Sequence, residues 1–404
     1  MRREGTGSKH RAIKVLLTLP LILWLLWQGL NPQLYAGAPG AFFSLMLASF
    51  VIIHFRIRPS WVDAGLMVVI TSFLATVDSH LFQGPGSIMA FFSFLGLSSF
   101  FIMAVRCIWD PQRRLLLYAW VPPAIYVAIG PVIRVLHDWT VNAHPQTLDF
   151  YLLSFEGSLR VQMAFVIGQY YARIPWLHNS ALLAYYGVSI PMALVYAGRL
   201  SRFREGAFPS GLAFLLAGPI GFLFYNLFPA CGPVYVFGKG FPFHPLSLDV
   251  LSRLVLLPAA IPGRRNAMPS LHLAWALLAW WYSKGLSWIE RVLAFAFLAL
   301  NAVATLGIGE HWFADLIVAF PFALMTEALC AYQVPWQDPA RRAALFLGLG
   351  VTLGWIAALR YGTAFFWTSP IVPWALSAAT IAIVSLRHGK LDAVAKPGKL
   401  AATV

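Results

Sequence analysis

Two histidines and one aspartate have the side-chain types and the spacing that phosphoryl transfer requires. His272 and His311 each stand where an apolar stretch begins, with other polar residues beside them. The spacing of His311 and Asp315 is i, i+4, which places both side chains on one face of a helix. A carboxylate at that position can accept the proton of one ring nitrogen and leave the other nitrogen nucleophilic. His272 can donate a proton to the departing oxygen.

Basic and polar residues that precede His272 are candidates for binding a phosphate. An arginine pair can clamp phosphate oxygens whose negative charge grows in the transition state. The helix that opens at Pro269 and Ser270 points free N–H groups outward, and these form a natural anion site. Because no carboxylate cluster of the usual magnesium type accompanies them, we expect neither a metal nor a cofactor. The candidate substrate-binding residues are Arg264, Arg265, Asn266, Ser270 and Lys239.

The composition of the chain excludes an ordinary soluble domain. Of its 404 residues, 59% are hydrophobic and only 11% are charged, whereas about a quarter of the residues in a soluble domain are charged. So few charges could not cover a surface in contact with water. The three cysteines have no CxxC spacing, so they indicate neither a disulfide framework nor a thiolate metal site. We therefore predict an all-α, polytopic membrane protein.

About twelve stretches of the chain are long and apolar enough to form spanning helices, each of which needs about 20 such residues. The first stretch could instead be a signal peptide, since basic residues precede it and a small-residue site follows, but we interpret it as a retained anchor. The predicted spans are residues 14–30, 37–55, 61–79, 87–107, 115–135, 176–198, 207–228, 269–283, 288–308, 311–330, 343–360 and 366–386.

Positive charge collects in alternate connecting segments, which indicates the orientation of the chain. Most of the 29 lysines and arginines fall in one set of segments, which includes both ends of the chain. We therefore expect both termini to be cytoplasmic in a bacterial inner membrane. The net charge of +14 is then mainly an orientation signal, and we expect no nucleic-acid partner.

This topology brings the two histidines to the extracytoplasmic face. The helix from Pro269 runs inward, the chain reverses around Lys284, and the next helix returns outward. A turn at residues 307–309 then leads the chain inward again at His311. The first of these helices has about 15 residues, or some 22 Å at 1.5 Å per residue. We therefore expect His272 slightly below the outer surface, at a depth that suits a lipid phosphate.

Two segments of the chain form a recognisable motif, Pro269-Ser270-Leu271-His272 and His311-x3-Asp315. They resemble two blocks of the type 2 phosphatidic acid phosphatase superfamily, whose pattern is Lys-x6-Arg-Pro, then Pro-Ser-Gly-His, then Ser-Arg-x5-His-x3-Asp. The resemblance covers roughly residues 176–332, and the sequence looks most like the branch of inositol phosphorylceramide synthases and their bacterial relatives. It implies that His311 is the nucleophile and forms a phosphohistidine, that Asp315 supports it, and that His272 is the acid.

The sequence departs from the family pattern at three places. Leu271 stands where the family has glycine, Ala304 and Thr305 stand where it has Ser-Arg, and no Lys-x6-Arg-Pro block can be read. One phosphate-binding arginine and one lysine of the pattern are therefore missing. The basic residues that could compensate are Arg264 or Arg265 for the arginine and Lys239 or Arg253 for the lysine.

We expect five regions along the chain. They are a five-helix membrane region of unknown role at residues 1–135, an interfacial or re-entrant segment at 136–175, a six-helix phosphatase-like catalytic core at 176–332, two transmembrane helices at 333–388 and a cytoplasmic tail at 389–404.

Two functions of different classes fit this pattern. The first is an enzyme that takes a phosphoryl group or phospho-headgroup from a membrane lipid at the extracytoplasmic leaflet, through a covalent intermediate on His311. With water as acceptor it is a phosphatase, and with a lipid or sugar alcohol it is an inositolphosphotransferase-like phosphotransferase; the motif itself does not choose. The alternative is a lipid transporter or flippase, because twelve spans with both termini inside are a common transporter layout.

Overall fold

The computed structural model describes residues 37–81, 88–111 and 113–395. Within these ranges the chain is helical, and the only β pairing is an isolated antiparallel bridge between Thr147 and Ala259. The chain divides into two compact units, Met1–Val132 and Ile133–Val404. The predicted first span at residues 14–30 lies outside the described residues.

The first unit contains four helices or parts of them, and α3 packs against both α1 and α2. These are α1 (Gly37–Arg56), α2 (Trp61–Leu81), α3 (Ile88–Trp109) and α4 (Arg113–Ala143), whose last residues fall in the range of the second unit.

Helices α1 and α3 approach each other very closely at a glycine. A Cβ atom at Gly96 would lie 2.3 Å from the carbonyl oxygen of Leu47, so only glycine fits there. Further along the same two helices, Nδ1 of His54 lies 2.9 Å from Oγ of Ser99. Close backbone contact and hydrogen bonds between helices are the interactions that hold apolar helices together in lipid, where burial of apolar surface contributes little.

The second unit contains the remaining helices of the described chain. They are α5 (Asp149–Ser158), α6 (Met163–Arg173), α7 (Pro175–Tyr186), α8 (Ser189–Phe203), α9 (Phe208–Leu227), α10 (Pro233–Phe237), α11 (Leu248–Ser252), α12 (Leu271–Tyr282), α13 (Trp288–Ile308), α14 (Phe313–Cys330), α15 (Pro339–Tyr361), α16 (Thr363–Trp367) and α17 (Ile371–Val394).

Helix α14 forms the centre of the second unit. Of its 18 residues, 83% are buried inside the protein, and the helix contacts α9, α12, α15 and α17. The helix is apolar on every side, which is the pattern of a helix surrounded by other helices. The packing of the other helices therefore fixes the position of the residues in the first turn of α14.

Local signals in the sequence begin and end the helices near the two histidines. Ser270 caps α12, and its side chain accepts a hydrogen bond from the backbone N–H of Leu273 at 3.4 Å. Ser287 and Glu290 form a capping box at the start of α13. Gly309 ends α13 with a left-handed φ of 83°, and this conformation lets the chain turn back toward His311.

Six helices are long and apolar enough to cross a membrane, and up to nine spans result if each bent pair is counted as one. The described part of the chain therefore does not confirm twelve spans. The predicted spans at 87–107, 207–228, 288–308, 311–330, 343–360 and 366–386 correspond to the six helices α3, α9, α13, α14, α15 and α17.

The predicted number of spans exceeds the number in the structure because hydropathy counts apolar residues and does not detect bends between helices. The pair α7 and α8 is bent by 59° and the pair α5 and α6 by 90°, while α4 is bent by 46°. The predicted span at 269–283 contains only the 12 residues of α12 as a helix, which is about 18 Å long and short for a bilayer. The predicted spans at 37–55 and 61–79 are helical, but the apolar parts of these helices, Ala41–Arg56 and Trp61–Val77, are also short for a bilayer.

Candidate active site

The structure brings His272 and His311 together. Their ring centroids are 6.4 Å apart, with the ring planes inclined at 66°. A backbone hydrogen bond of 3.2 Å from Ser270 N–H to the carbonyl oxygen of Asp315 joins the start of α12 to the first turn of α14. Two helix beginnings that are distant in sequence are thereby fixed side by side.

The ring of His311 is oriented by a backbone carbonyl. Nδ1 lies 2.8 Å from the carbonyl oxygen of Ala267 and 3.5 Å from Oδ2 of Asp315. Since a carbonyl oxygen can only accept, Nδ1 carries the hydrogen and Nε2 retains its lone pair. We predicted that Asp315 accepts this proton, but the closer acceptor is Ala267, and the carboxylate is a second, longer neighbour.

Asp315 is fully buried and caps α14. Its Oδ2 accepts a hydrogen bond of 2.7 Å from the backbone N–H of Trp312, while Oδ1 has no hydrogen-bond partner among the described residues. The carboxyl group therefore lies beside Nδ1 of the His311 ring and at the same time caps the helix that follows.

His272 is held by aromatic rings. It stacks on Tyr185 with a centroid distance of 3.9 Å and an interplanar angle of 14°, and Trp275 contacts it edge to face at 6.2 Å. A stack of this kind fixes the plane of the imidazole without using its nitrogen atoms, because the contact is made by the ring face. Tyr185, on α7, is a site residue that the sequence analysis did not select.

Arg265 is occupied by the protein backbone and is poorly placed to clamp a substrate. Its side chain is buried, with 3% of the residue exposed, and all three of its nitrogen atoms donate to main-chain oxygens. The acceptors are the carbonyl oxygens of His144 at 2.9 Å, Ile261 at 2.9 Å, Pro145 at 3.0 Å and Gly263. This arginine organises the loops around the site.

The other predicted binding residues differ in how available they are. Arg264 is exposed and makes no ion pair with any described residue, so it is the better candidate for the phosphate clamp. Oδ1 of Asn266 is buried without a partner in the described structure. Lys239 is exposed on the short 3₁₀ turn Gly238–Gly240, and Arg253 forms an exposed pair with Asp249 at 2.9 Å.

Asp149, at the start of α5, joins two loops beside the candidate nucleophile. Its carboxylate accepts hydrogen bonds from the backbone N–H groups of Cys231 at 3.1 Å and Gly232 at 2.9 Å. It also accepts from Nε1 of Trp312 at 2.8 Å. Because Trp312 follows His311 directly, this buried acid helps to fix the backbone on which the candidate nucleophile stands.

Glu156, two turns further along α5, holds the beginnings of two other helices. It accepts from the backbone N–H of Phe313 at 2.9 Å and from that of Ala164 at 3.4 Å, which belong to the first turns of α14 and α6. Carboxylates at helix N-termini satisfy unpaired N–H groups and complement the helix dipole. Intramembrane acids are functional or structural anchors by default, and this signal could have selected both residues within the 136–175 segment.

Burial makes the thiol of Cys231 unreactive. Burial, and after it the charge of the neighbouring Asp149 carboxylate, raise the pKa of Cys231 to about 12. The thiol is therefore protonated at neutral pH, and it accepts a weak hydrogen bond of 3.4 Å from Nη1 of Arg265. No group of three or more His, Cys, Asp or Glu residues in the described part of the chain is arranged to hold a metal ion.

One family model matches a part of the chain that includes the candidate site. Residues 151–329 match the family model of the PAP2 superfamily, which implies a phosphatase-type enzyme, and the apolar helices indicate a membrane protein. The matched stretch begins within α5 and ends within α14, so it contains Glu156, His272, His311 and Asp315. No curated protein and no solved structure matches the chain.

Proposed function

We propose that the protein is an integral-membrane lipid phosphatase or phosphotransferase that acts at the extracytoplasmic face of a bacterial inner membrane. Its substrate is a phospholipid or lipid phosphate, and the reaction passes through a phosphohistidine, or a phospho-headgroup histidine, on His311 without a metal ion. The observation that carries this proposal is the 6.4 Å separation of the His272 and His311 rings, together with the hydrogen on Nδ1 of His311.

In the first half-reaction Nε2 of His311 attacks the phosphorus atom. The P–N bond forms as the P–O bond to the leaving group breaks. His272, which the negative charge of the bound phosphate holds in its protonated form, gives its proton to the departing oxygen. The positive charge on the His311 imidazole is then stabilised by the Ala267 carbonyl and by the Asp315 carboxylate 3.5 Å away.

The negative charge that develops on the phosphate oxygens needs donors that are already in place. Arg264 is the exposed arginine nearest in sequence to His272, and the start of α12 adds the positive end of a helix dipole. In the second half-reaction neutral His272 accepts the proton of water or of an alcohol, which attacks the phosphohistidine and releases His311.

The test uses purified protein and a phospholipid labelled at phosphorus. We expect the wild-type protein to release labelled product and to form a labelled intermediate that is stable to base and labile to acid, as a phosphoramidate is. H311N should lose at least about 1000-fold in turnover, and H272N should lose about 100-fold or more. His244, which is exposed on an outer loop, supplies the control variant H244N.

The same assay separates the two forms of the enzyme. Labelled free phosphate as the only product indicates a phosphatase, whereas label in a lipid or sugar alcohol that is added as acceptor indicates a phosphotransferase. Activity should survive treatment with EDTA. Loss of activity in EDTA with recovery in magnesium would contradict the metal-free mechanism, and full activity of H311N would contradict the proposal as a whole.

A further inference from the structure

Two opposite charges lie beside one tyrosine next to the candidate nucleophile. The hydroxyl of Tyr235 donates a hydrogen bond of 2.9 Å to Oε1 of Glu310. Gly263, the residue before Arg264, packs against the Tyr235 ring, where a Cβ atom on the glycine would lie 2.8 Å from Cδ1 of the tyrosine, and the charge of Arg264 also acts on Tyr235. Glu310 directly precedes His311 in the chain. Ion pairs among the described residues include neither Glu310 nor Arg264.

Tyrosine rings lie on the side of the site where Glu310 stands. Tyr235 contacts its carboxylate through the 2.9 Å hydrogen bond, and Tyr185 and Tyr186 are close enough for its charge to act on them, with ring centroids 5.6 Å apart and planes at 77°. Glu310 is itself half-buried. A carboxylate accompanied by aromatic faces is the environment in which proteins bind organic cations, since both the charge and the ring quadrupoles attract a cation.

A substrate that brings only a phosphate group would bind unfavourably here. The phosphate attacked by His311 and the carboxylate of the preceding residue repel each other, and Arg265 directs its guanidinium at carbonyl oxygens. Arg264 can balance one of the two negative charges. A polyol headgroup would donate hydrogen bonds to Glu310 but leave its charge uncompensated, whereas an ammonium group on the substrate would neutralise it.

We propose that Arg264, Tyr235 and Glu310 form a headgroup subsite that selects lipid phosphodiesters carrying an ammonium group. The phosphate then lies between Arg264 and His311, and the ammonium group lies against Glu310 and the tyrosine rings. This inference rests on the function proposed above, because it assigns the donor lipid of the same site.

The experiment compares donor lipids that have identical acyl chains and differ only in the headgroup. Phosphatidylethanolamine and phosphatidylcholine carry the ammonium group, and phosphatidylglycerol and phosphatidylinositol are the polyol counterparts. For each lipid we would measure kcat/KM in detergent with the full chain, and equilibrium binding by native mass spectrometry. We expect the wild-type protein to prefer the ammonium lipids by about tenfold or more in both measurements.

Two variants test the role of the carboxylate. E310Q keeps the shape of the side chain and an acceptor for Tyr235 but removes the charge, so the preference should fall to about twofold or less. D249N removes one negative charge from an exposed residue outside the site and should leave the preference unchanged.

The outcomes separate the two proposals. An unchanged preference in E310Q, or a wild-type preference for the polyol lipids, would overturn the headgroup subsite while turnover itself upheld the proposed function. If no lipid is turned over but ammonium lipids bind selectively and E310Q abolishes that selectivity, the subsite stands and the proposed function fails.

Discussion

The tautomer of the His311 ring follows from the backbone of a neighbouring segment. Ala267 belongs to the loop just before α12, and its carbonyl oxygen lies 2.8 Å from Nδ1. The loop that leads to His272 therefore also sets the tautomer of His311. A change in the path of this loop would alter both imidazoles together, and it would also move Arg264, the candidate phosphate ligand.

Replacement of Asp315 by asparagine tests the carboxylate behind His311. Asparagine keeps an acceptor for the N–H of Trp312, so the cap of α14 should survive, but it cannot stabilise the positive charge of a phosphorylated imidazole. We expect kcat to fall about 100-fold in D315N, with the thermal unfolding temperature within a few degrees of the wild type. Wild-type kcat in D315N would show that the Ala267 carbonyl suffices.

Cys231 offers a test of burial at the centre of the site. Because its pKa is raised to about 12, the reactive thiolate is scarce at all lower pH values and becomes common only as the pH passes that pKa. We expect negligible labelling of Cys231 by N-ethylmaleimide at pH 7.5 in the folded protein and rapid labelling after unfolding, measured by peptide mass spectrometry. Labelling of the folded protein at the rate of a free thiol would contradict this.

At the scale of helices, two tryptophan side chains from other helices or loops donate hydrogen bonds to α5. The indole of Trp312 donates to Asp149 at 2.8 Å, and the indole of Trp367 donates to Oγ of Ser154 at 3.0 Å. Each bond joins α5 to a different part of the second unit, and only the first involves a neighbour of His311.

This pair of indoles gives a matched comparison. W312F and W367F each remove one indole hydrogen bond to α5 and keep an aromatic ring. We expect both to lose about 1 kcal/mol of stability, but only W312F to lower kcat, by about tenfold, with little change in KM. Urea unfolding and steady-state kinetics measure the two effects. An equal loss of kcat in both variants would show that the Trp312 bond is merely structural.

For the whole molecule, the distribution of basic residues predicts which side of the membrane each loop faces. Lys239 lies on the turn Gly238–Gly240, which is predicted to be extracytoplasmic, and Gln337 lies between α14 and α15, at the end of α14 away from His311; both are exposed. In intact cells K239C should react with a membrane-impermeant maleimide and Q337C should not. After the membrane is opened both should react, and the reverse pattern in intact cells would overturn the orientation.

The pairing of the two histidines could be predicted because it follows from chain direction alone. One helix runs away from His272, the next returns, and Gly309 turns the chain at His311. The six straight apolar helices could be predicted for a similar reason, since length and hydropathy determine them.

The remaining features depend on contacts between distant segments, which a single sequence does not display. Asp149 is 163 residues from the indole that it binds, and nothing in its immediate neighbours points to Trp312. The same holds for Arg265, which looks in sequence like a phosphate ligand but binds carbonyl oxygens 120 and 121 residues away. Its burial, and not its residue type, decided its role.

The indole of Trp367 donates to Ser154 within α5, and that of Trp374 donates to the carbonyl oxygen of Leu159, just beyond the end of α5. Both tryptophans come after residue 329, where the matched stretch ends. The matched stretch therefore does not hold itself together: α5, which contacts the backbone of the candidate nucleophile, is also held by later parts of the chain. A minimal enzyme trimmed to the recognisable segment would keep every reactive group and lose the scaffold that aligns them.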